Sequence, residues 1–522
     1  MIRYTSSQQL SIEEFKTPFQ TRLDPANRWV KLAQLIPWDD LACIYHRTLS
    51  ARQGAPAVDA RIVIGAMIVK HKQKLDDREA IEYIRENPYV QYFLGLSNYT
   101  SEPVFDRSLF THLRYRLGAD KFDAMNVVII QKALGVPMHD QAADRKKLPE
   151  QASHQDEPPK EGSFPEVNTS GSPADTDKPQ GKLMIDATVA DQMIVYPTDL
   201  NLLNESREQS ERLIDLLYEQ GDWQAKPRTY RRNARRQYLQ IAKKKRKSKK
   251  VLHKAIGQQL RYLRRNLKTI NGMLDTFEES TFPFQRRDQQ LYWIIQHIYR
   301  QQEAMWRSKT HRCDDRIVNL YQPYVRPIVR GKDKTNVEFG AKLGVSLQQG
   351  YARINTLSWD AYHEGSDLVQ QVEAYRLAHG HHPEAVIADA IYGTRPNRSW
   401  LKERGIRFVG KALGRPSQQS QTAYQKRKHR KEMASRNEIE GKFGQGKNGY
   451  NLNKIRARKQ KTSESWIAAI FFVMNLIKFG KDFLCLVLTR SLRGTRLSSF
   501  QSANQQVWRP NQPFYKTIEA LT

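Results

Sequence analysis

Cysteine is scarce in this chain: Cys43, Cys313 and Cys485 are three in 522 residues, odd in number and far apart. That excludes a disulfide framework and a cysteine-rich zinc site. Glycine and proline, at 27 and 23 residues, are too few for collagen-like or mucin-like chains. No secretory leader is read at the start, where MIRYTSSQQLSIEEF has no apolar run behind its single Arg. Long hydrophobic runs are also rare. The one membrane-like stretch, 466–488, is interrupted by Asn475, Lys478, Lys481 and Asp482. Its uncharged part is short of the ~20 residues a span needs, so it reads as a buried helix. The expectation is a soluble, cytoplasmic protein. With 39% hydrophobic and 27% charged residues most of the chain can fold around buried cores. Its length allows about three domains.

Negative charge is missing locally. From 223 to 274 there is no Asp or Glu, against eighteen Lys or Arg, among them the run Lys243, Lys244, Lys245, Arg246 and Lys247. A second window, 426–461, holds thirteen Lys or Arg against three Glu. These two windows account for nearly all of the formal net charge of +30. A localisation tag or a solvated helix face is the plainer explanation, but solvated faces normally mix signs, and an acid-free stretch this long repels itself without a counter-charge. An anionic polymer, nucleic acid first, is the expected partner. Trp223, Tyr230, Tyr238 and Tyr262 within the first window suit base stacking and ordinary core packing equally.

Residues 1–137 read as an all-α N-terminal domain. Asp59 is placed to cap a helix carrying Ile62, Val63, Ala66, Met67 and Val69, and Asp76 or Asp77 to cap the next. Further helices fit 104–117 and 121–134, a pattern that a helix-turn-helix shares with any other small bundle. Residues 138–181, with Pro158, Pro159, Pro165, Pro173 and Pro179 among acids and hydroxyls, read as a flexible acidic linker. Leu183-Met184-Ile185 opens a strand ending near Val189, and 193–196 suggests a second strand. A helix fits 200–218. Apolar residues Leu252, Ile256, Leu260, Leu263, Leu267, Ile270 and Leu274 mark a long helix, and Leu291, Ile294, Ile295, Ile298 and Met305 another. These two suit an antiparallel hairpin with its basic side outward, inserted at about 205–320 into an α/β domain spanning 182–480. Strand patterns return over 341–358, at Ala385-Val386-Ile387-Ala388 and over 406–409, with helices over 366–379 and 395–404. Residues 481–522 form a C-terminal tail.

Two carboxylates stand where a sheet enzyme collects ligands, since Asp186 follows Leu183-Met184-Ile185 and Asp389 follows Ala385-Val386-Ile387-Ala388. A turn or cap role explains either one alone. A third element joins them: Arg436, Glu440, Phe443 and Lys447, spaced 4, 3 and 4, share one face of a helix, with Glu438 roughly opposite. Alone, an exposed helix with ion pairs would explain it. Together, three carboxylates in basic surroundings match the needs of phosphodiester chemistry. In-line displacement requires an activated nucleophile and a stabilised leaving oxygen, which two divalent ions ~3.5–4 Å apart supply. Mg²⁺ and Mn²⁺ take hard oxygen donors, and neighbouring Arg and Lys bind flanking phosphates.

At these residues the chain resembles the bacterial insertion-sequence transposases of the DDE, ribonuclease-H-like superfamily, in the IS-four and IS-five-like groups. Met184-Ile185-Asp186-Ala187-Thr188-Val189, with Tyr196-Pro197-Thr198-Asp199-Leu200 and Leu203-Asn204, is similar to the first block of that family. Ala388-Asp389-Ala390-Ile391-Tyr392-Gly393-Thr394 is similar to the second. Arg436, Glu440 and Lys447 match the third, Tyr–x2–Arg–x3–Glu–x6–Lys, with Met433 standing at the Tyr position. The likeness continues in Asp59-Ala60-Arg61, in Tyr89-Val90-Gln91-Tyr92-Phe93-Leu94-Gly95 and in Glu338-Phe339-Gly340-Ala341-Lys342. It implies a ribonuclease-H-like catalytic domain with a large helical insertion. It implies that Asp186, Asp389 and Glu440 hold two Mg²⁺ ions, replaceable by Mn²⁺, for DNA cleavage and strand transfer. Arg436 and Lys447 would bind DNA at the active site. Lys243–Lys247 and the N-terminal domain would bind the terminal inverted repeats, with at least two protomers in a nucleoid-associated complex on double-stranded DNA. The same carboxylates would serve a nuclease that only cuts, and the same basic surfaces an inactive DNA-binding relic.

Overall fold

The structure is a computed structural model describing residues 22–49, 57–135, 178–277, 282–329, 337–414 and 422–494, with side chains to 484. The expected linker over 138–181 falls almost wholly outside the described residues, as does the tail beyond 494. The fold has two compact units, Met1–Leu476 and Ile477–Thr522. In the second, Lys478 pairs with Asp482 across one helical turn at 2.8 Å.

The N-terminal part is helical, as the periodicity predicts: α1 (Arg28–Leu35), α2 (Trp38–His46), α3 (Ala60–Lys72), α4 (Asp77–Glu86), α5 (Pro88–Phe93) and α6 (Ser108–Leu134). Asp59 caps α3 through the Arg61 amide, and Asp76 with Glu79 closes a capping box on α4. Asn87 caps α5, with Pro88 in its first turn. The two helices expected over 104–117 and 121–134 are the two arms of α6, which is broken at Gly118, where a φ of 60° and ψ of −174° are not helical and a side chain would resist them.

A six-stranded mixed sheet follows: β1 (Lys182–Asp191), β2 (Arg326–Val329), β3 (Val337–Gln348), β4 (Tyr351–Ser358), β5 (Ala385–Ala388) and β6 (Arg407–Val409). Its order is β2-β3-β1-β5-β6, with β4 also paired to β3. β1 and β3 are antiparallel, whereas β5 and β6 run parallel to β1. The second strand expected at 193–196 is absent. Past the single bridge from Gln192 to Ile455, Met193, Val195 and Tyr196 stand exposed, and Pro197 donates no ladder hydrogen bond.

One sheet face is covered by α11 (Leu368–His379) and α12 (Arg395–Glu403). Leu183, Ile185, Val386 and Ala388 pack there against Leu368, Val372, Tyr375 and Leu401. Side chains alternate along a strand, so the residues between these point to the opposite face. The chain continues through α13 (Ala423–Ser435) and α14 (Asn437–Tyr450) to α15 (Gln460–Gly494). Of the stretch 466–488 expected as a buried helix, the part of α15 from Trp466 to Leu476 is almost wholly enclosed. No helix among the described residues is long and apolar enough to cross a membrane.

Between β1 and β2 the chain makes four helices, α7 (Asp199–Gln220), α8 (Arg231–Ala242), α9 (Lys249–Leu274) and α10 (Arg286–Ser308). The expected two-helix hairpin is incomplete. Leu203, Leu213, Ile214 and Leu217 of α7 join Leu260, Leu263 and Ile270 of α9 and Ile295 and Ile298 of α10 in one core. The apolar stripe on α9 is wide enough to need two partners.

The N-terminal helices pack directly on this body. Lys70 of α3 is fully buried between Asp77 (3.1 Å) and the ring of Trp466, 3.3 Å from its centroid, while Arg114 of α6 forks onto Asp77 at 2.7 and 2.8 Å. Asp123 pairs with Arg353 of β4. Asn126, Asn475 and the Ala352 backbone share a buried hydrogen-bond network.

Candidate active site and nucleic-acid interface

The parallel register of β1 on β5 ends at Ile185 opposite Ala388. Asp186 and Asp389 are therefore the next residues on adjacent strands, brought together across 203 positions of sequence. Ile185 and Ala388 face α11, so both carboxylates point to the opposite side, where α14 packs on β1. Asp186 lies within β1, not at its carboxyl end as the apolar triplet suggests, because β3 continues to pair with β1 as far as Asp191. Asp389 does end its strand. Its Oδ1 accepts from the Ala390 amide at 2.6 Å, capping the 3-10 helix Ala390–Tyr392. Asp186 Oδ1 accepts from the Ala187 amide at 2.8 Å.

Arg436 stands at the junction of α13 and α14. One guanidinium nitrogen lies 3.2 Å from Asp389 Oδ1 and the other 2.9 Å from Glu440 Oε1. One cation thus joins two of the three expected carboxylates. The Asp186 carboxyl is pushed above its ordinary range, chiefly by burial, further by the like charges of Glu364 and Asp389, and against the pull of Arg436. Nothing in the sequence singles out Glu364. It lies on the 3-10 helix Glu364–Asp367, which packs against the turn after Asp389, and pairs with Lys342 at 3.1 Å. Lys447, expected on a DNA phosphate, lies 3.4 Å from Glu338 and 3.7 Å from Asp191.

The donors at this site are carboxylate oxygens, with no sulfur or imidazole, which suits Mg²⁺ or Mn²⁺. Like-charge crowding at Asp186 and a guanidinium bridging Asp389 and Glu440 both mark a place built to take a cation. Among the described residues no three His, Cys, Asp or Glu stand close enough in this structure to hold a metal ion. Arg436 lies on one oxygen each of Asp389 and Glu440.

The basic windows take two forms. Lys243–Lys247 form the turn between α8 and α9, and all five are exposed. Other cations of the first window serve the insertion itself: Lys226 and Arg231 pair with Asp215, and Arg264 with Glu303. Its aromatics are similarly engaged. Tyr230 lies under Arg265, Tyr262 donates to Gln237, Tyr238 donates to Asn201, and Trp223 packs on the insertion core. The second window makes α13, on which Lys426, Arg427, Lys428, Arg430 and Lys431 are exposed. Its buried acid, Glu432, stands in the sequence only as one of three Glu. It accepts from Arg407 of β6 at 2.6 and 2.9 Å and from Lys182 of β1 at 3.3 Å, and these cations hold its carboxyl down to about 2. A lone acid in a run of cations is the signal that would have found it.

Comparisons with known proteins bear on both ends of the chain. Residues 386–477 match the model of a transposase DDE domain, and residues 17–116 that of a transposase domain, DUF772. The first match contains Asp389 and Glu440 and begins beyond Asp186. The chain is also 32% identical over 123 residues to the uncharacterized protein ORF8 in the nfe locus of Rhizobium meliloti, a match covering 22% of this chain and 58% of that protein. No solved structure matches.

Proposed function

This chain belongs to the bacterial insertion-sequence transposases of the DDE type, and from that premise we propose that it binds the terminal inverted repeats of its element and catalyses metal-dependent cleavage and strand transfer. The observation that carries this reading is the apposition of Asp186 and Asp389 across the parallel pair β1 and β5, with Glu440 tied to Asp389 through Arg436. In this reading the domain over 182–480 is ribonuclease-H-like, the helices of 1–137 read the element's ends, and the chain acts on the nucleoid as a dimer or larger assembly on double-stranded DNA.

Asp186, Asp389 and Glu440 would hold two Mg²⁺ ions. When bound, such ions activate the attacking oxygen and stabilise the leaving one. Asp186 sits within β1 and Asp389 directly after β5, so the position of the scissile phosphate is set from the sheet in this reading. Glu440 comes from α14, which Glu432 pins to the sheet through α13. Exposed cations of α13 guide the strand, Arg436 and Lys447 bind phosphates beside the reacting one, and Lys243–Lys247 grip the duplex further away. In the first reaction water adds to phosphorus and the bond to the 3′-oxygen breaks, leaving a 3′-hydroxyl and a 5′-phosphate. In the second that hydroxyl attacks a target phosphodiester, and the displaced 3′-oxygen takes the proton.

The test is a pre-nicked oligonucleotide carrying the element's end, incubated with supercoiled DNA and Mg²⁺. Joined product is expected from the wild type and none from Asp389→Ala. Cleavage without joining would make the protein a nuclease, and Mg²⁺-dependent cleavage by Asp389→Ala would remove the carboxylates from the mechanism.

A further inference from the structure

The two cations expected to hold DNA at the active site are both engaged inside the protein. Lys447 is on Glu338 and Asp191, but Arg436 is on the carboxylates of the site itself. Its planar fork spans Asp389, at a strand end, and Glu440, on a helix, and Asp389 adds like charge at Asp186. A guanidinium there relieves the repulsion that an empty cluster of carboxylates would suffer. A divalent ion would relieve it more strongly, but it needs the Asp389 and Glu440 oxygens that the guanidinium holds. Arg436 is placed to leave. It is a quarter exposed, sits at the αR junction between two helices, and follows a helix on which Lys426, Arg427, Lys428, Arg430 and Lys431 are exposed.

We propose that Arg436 is a placeholder cation: it offsets part of the charge of Asp389 and Glu440 before metal loading, yields those oxygens to the divalent ions, and passes to a DNA phosphate. This rests on the reading of Asp186, Asp389 and Glu440 as metal ligands. The side chain then links two events. Metal binding frees the phosphate contact, and a phosphate that captures Arg436 clears the metal site, each favouring the other to the same degree. The carboxylates have a counter-cation in both states, which keeps them near one another when no ion is bound.

The experiment measures Mn²⁺ binding to the full chain without DNA, by the paramagnetic resonance signal of free Mn²⁺. Arg436→Ala should tighten Mn²⁺ binding by about five-fold or more, the lower end of coupling between linked sites. Lys447→Ala removes an equal charge from the same helix without touching Asp389 or Glu440, and should change it little. Asp389→Asn should weaken it. Binding by Arg436→Ala that is equal to or weaker than the wild type overturns the placeholder, as does equal tightening by Lys447→Ala, which would reduce the effect to net charge. If Asp389→Asn leaves Mn²⁺ binding unchanged, the ligand assignment itself is wrong. If Asp389→Asn weakens it while Arg436→Ala does not tighten it, only the placeholder fails. Should Arg436→Ala not fold, Arg436→Lys keeps the charge but cannot fork onto two carboxylates, and it too should tighten Mn²⁺, by less. No tightening there overturns the proposal equally.

Discussion

Glu432 offers the most direct check on how the cationic arm is held to the sheet. It is 5% exposed and takes a forked guanidinium from Arg407 at 2.6 and 2.9 Å, with Lys182 at 3.3 Å. Replacing it by Gln keeps the shape and removes the charge. Its carboxyl lies at about 2 instead of 4.5, chiefly through the Arg407 hydrogen bonds. Fully shielded, a shift of that size corresponds to roughly 3 kcal/mol. Arg407 and Lys182 are 40% and 48% exposed, so water screens the pair. The expected loss is therefore about 1–2 kcal/mol. The folded value lies below the unfolded one. The stabilisation is thus complete above pH 4.5 and fades as pH falls toward 2. Amide hydrogen exchange reads this locally: the amides of α13 should exchange roughly ten-fold faster in Glu432→Gln at neutral pH. The gap between variant and wild type should close through the acid window. Equal protection at neutral pH, or a gap that persists unchanged to pH 2, would refute the anchoring role.

Asp77→Asn should destabilise the packing of α3 and α6 against Trp466 by about 3 kcal/mol in urea unfolding, because it leaves Lys70 and Arg114 buried without their anion. Lys70→Met should be nearly neutral. Burial lowers the Lys70 ammonium to about 7. The wild type should therefore gain stability as pH rises above 7, and the Met variant should lack that rise. Gly340→Ala would drive a Cβ into the Ala190 carbonyl oxygen in the β1–β3 ladder. Its melting temperature should fall by several degrees and its strand-transfer activity with it, and an unchanged melting temperature would mean the strands can separate there without cost. Replacing Lys243–Lys247 with Ala should flatten the slope of log K against log[salt] for duplex binding by about 0.9 for each phosphate the turn no longer neutralises. An unchanged slope would show that this turn does not touch DNA.

Much of the helical framework was legible because helix signals are local. Asp59 and Asp76 cap the helices their positions suggest, and the stripe from Leu252 to Leu274 is the buried edge of α9. Strand signals were weaker. The run 193–196 has the composition of a strand, but beyond the bridge from Gln192 to Ile455 it joins no ladder, whereas β2 and its pairing to β3 carried no pattern long enough to see. The basic turn at 243–247 was plain from charge alone. Glu432 and Glu364 were not, since their meaning lies in Arg407, Lys182, Lys342 and Asp186, which stand far away in sequence.

The sequence by itself determined the parts. It set which stretches are helical, where cations gather without acids, and that Asp389 ends an apolar strand. Each depends on neighbours within a turn or two, so composition and spacing suffice. Tertiary structure decided how the parts meet. Only the parallel pairing of β1 with β5 makes Asp186 and Asp389 neighbours, and only the packing of α13 and α14 brings Arg436 onto Asp389 and Glu440. Those relations depend on strand order and register, which are fixed by the whole core and written in no single segment.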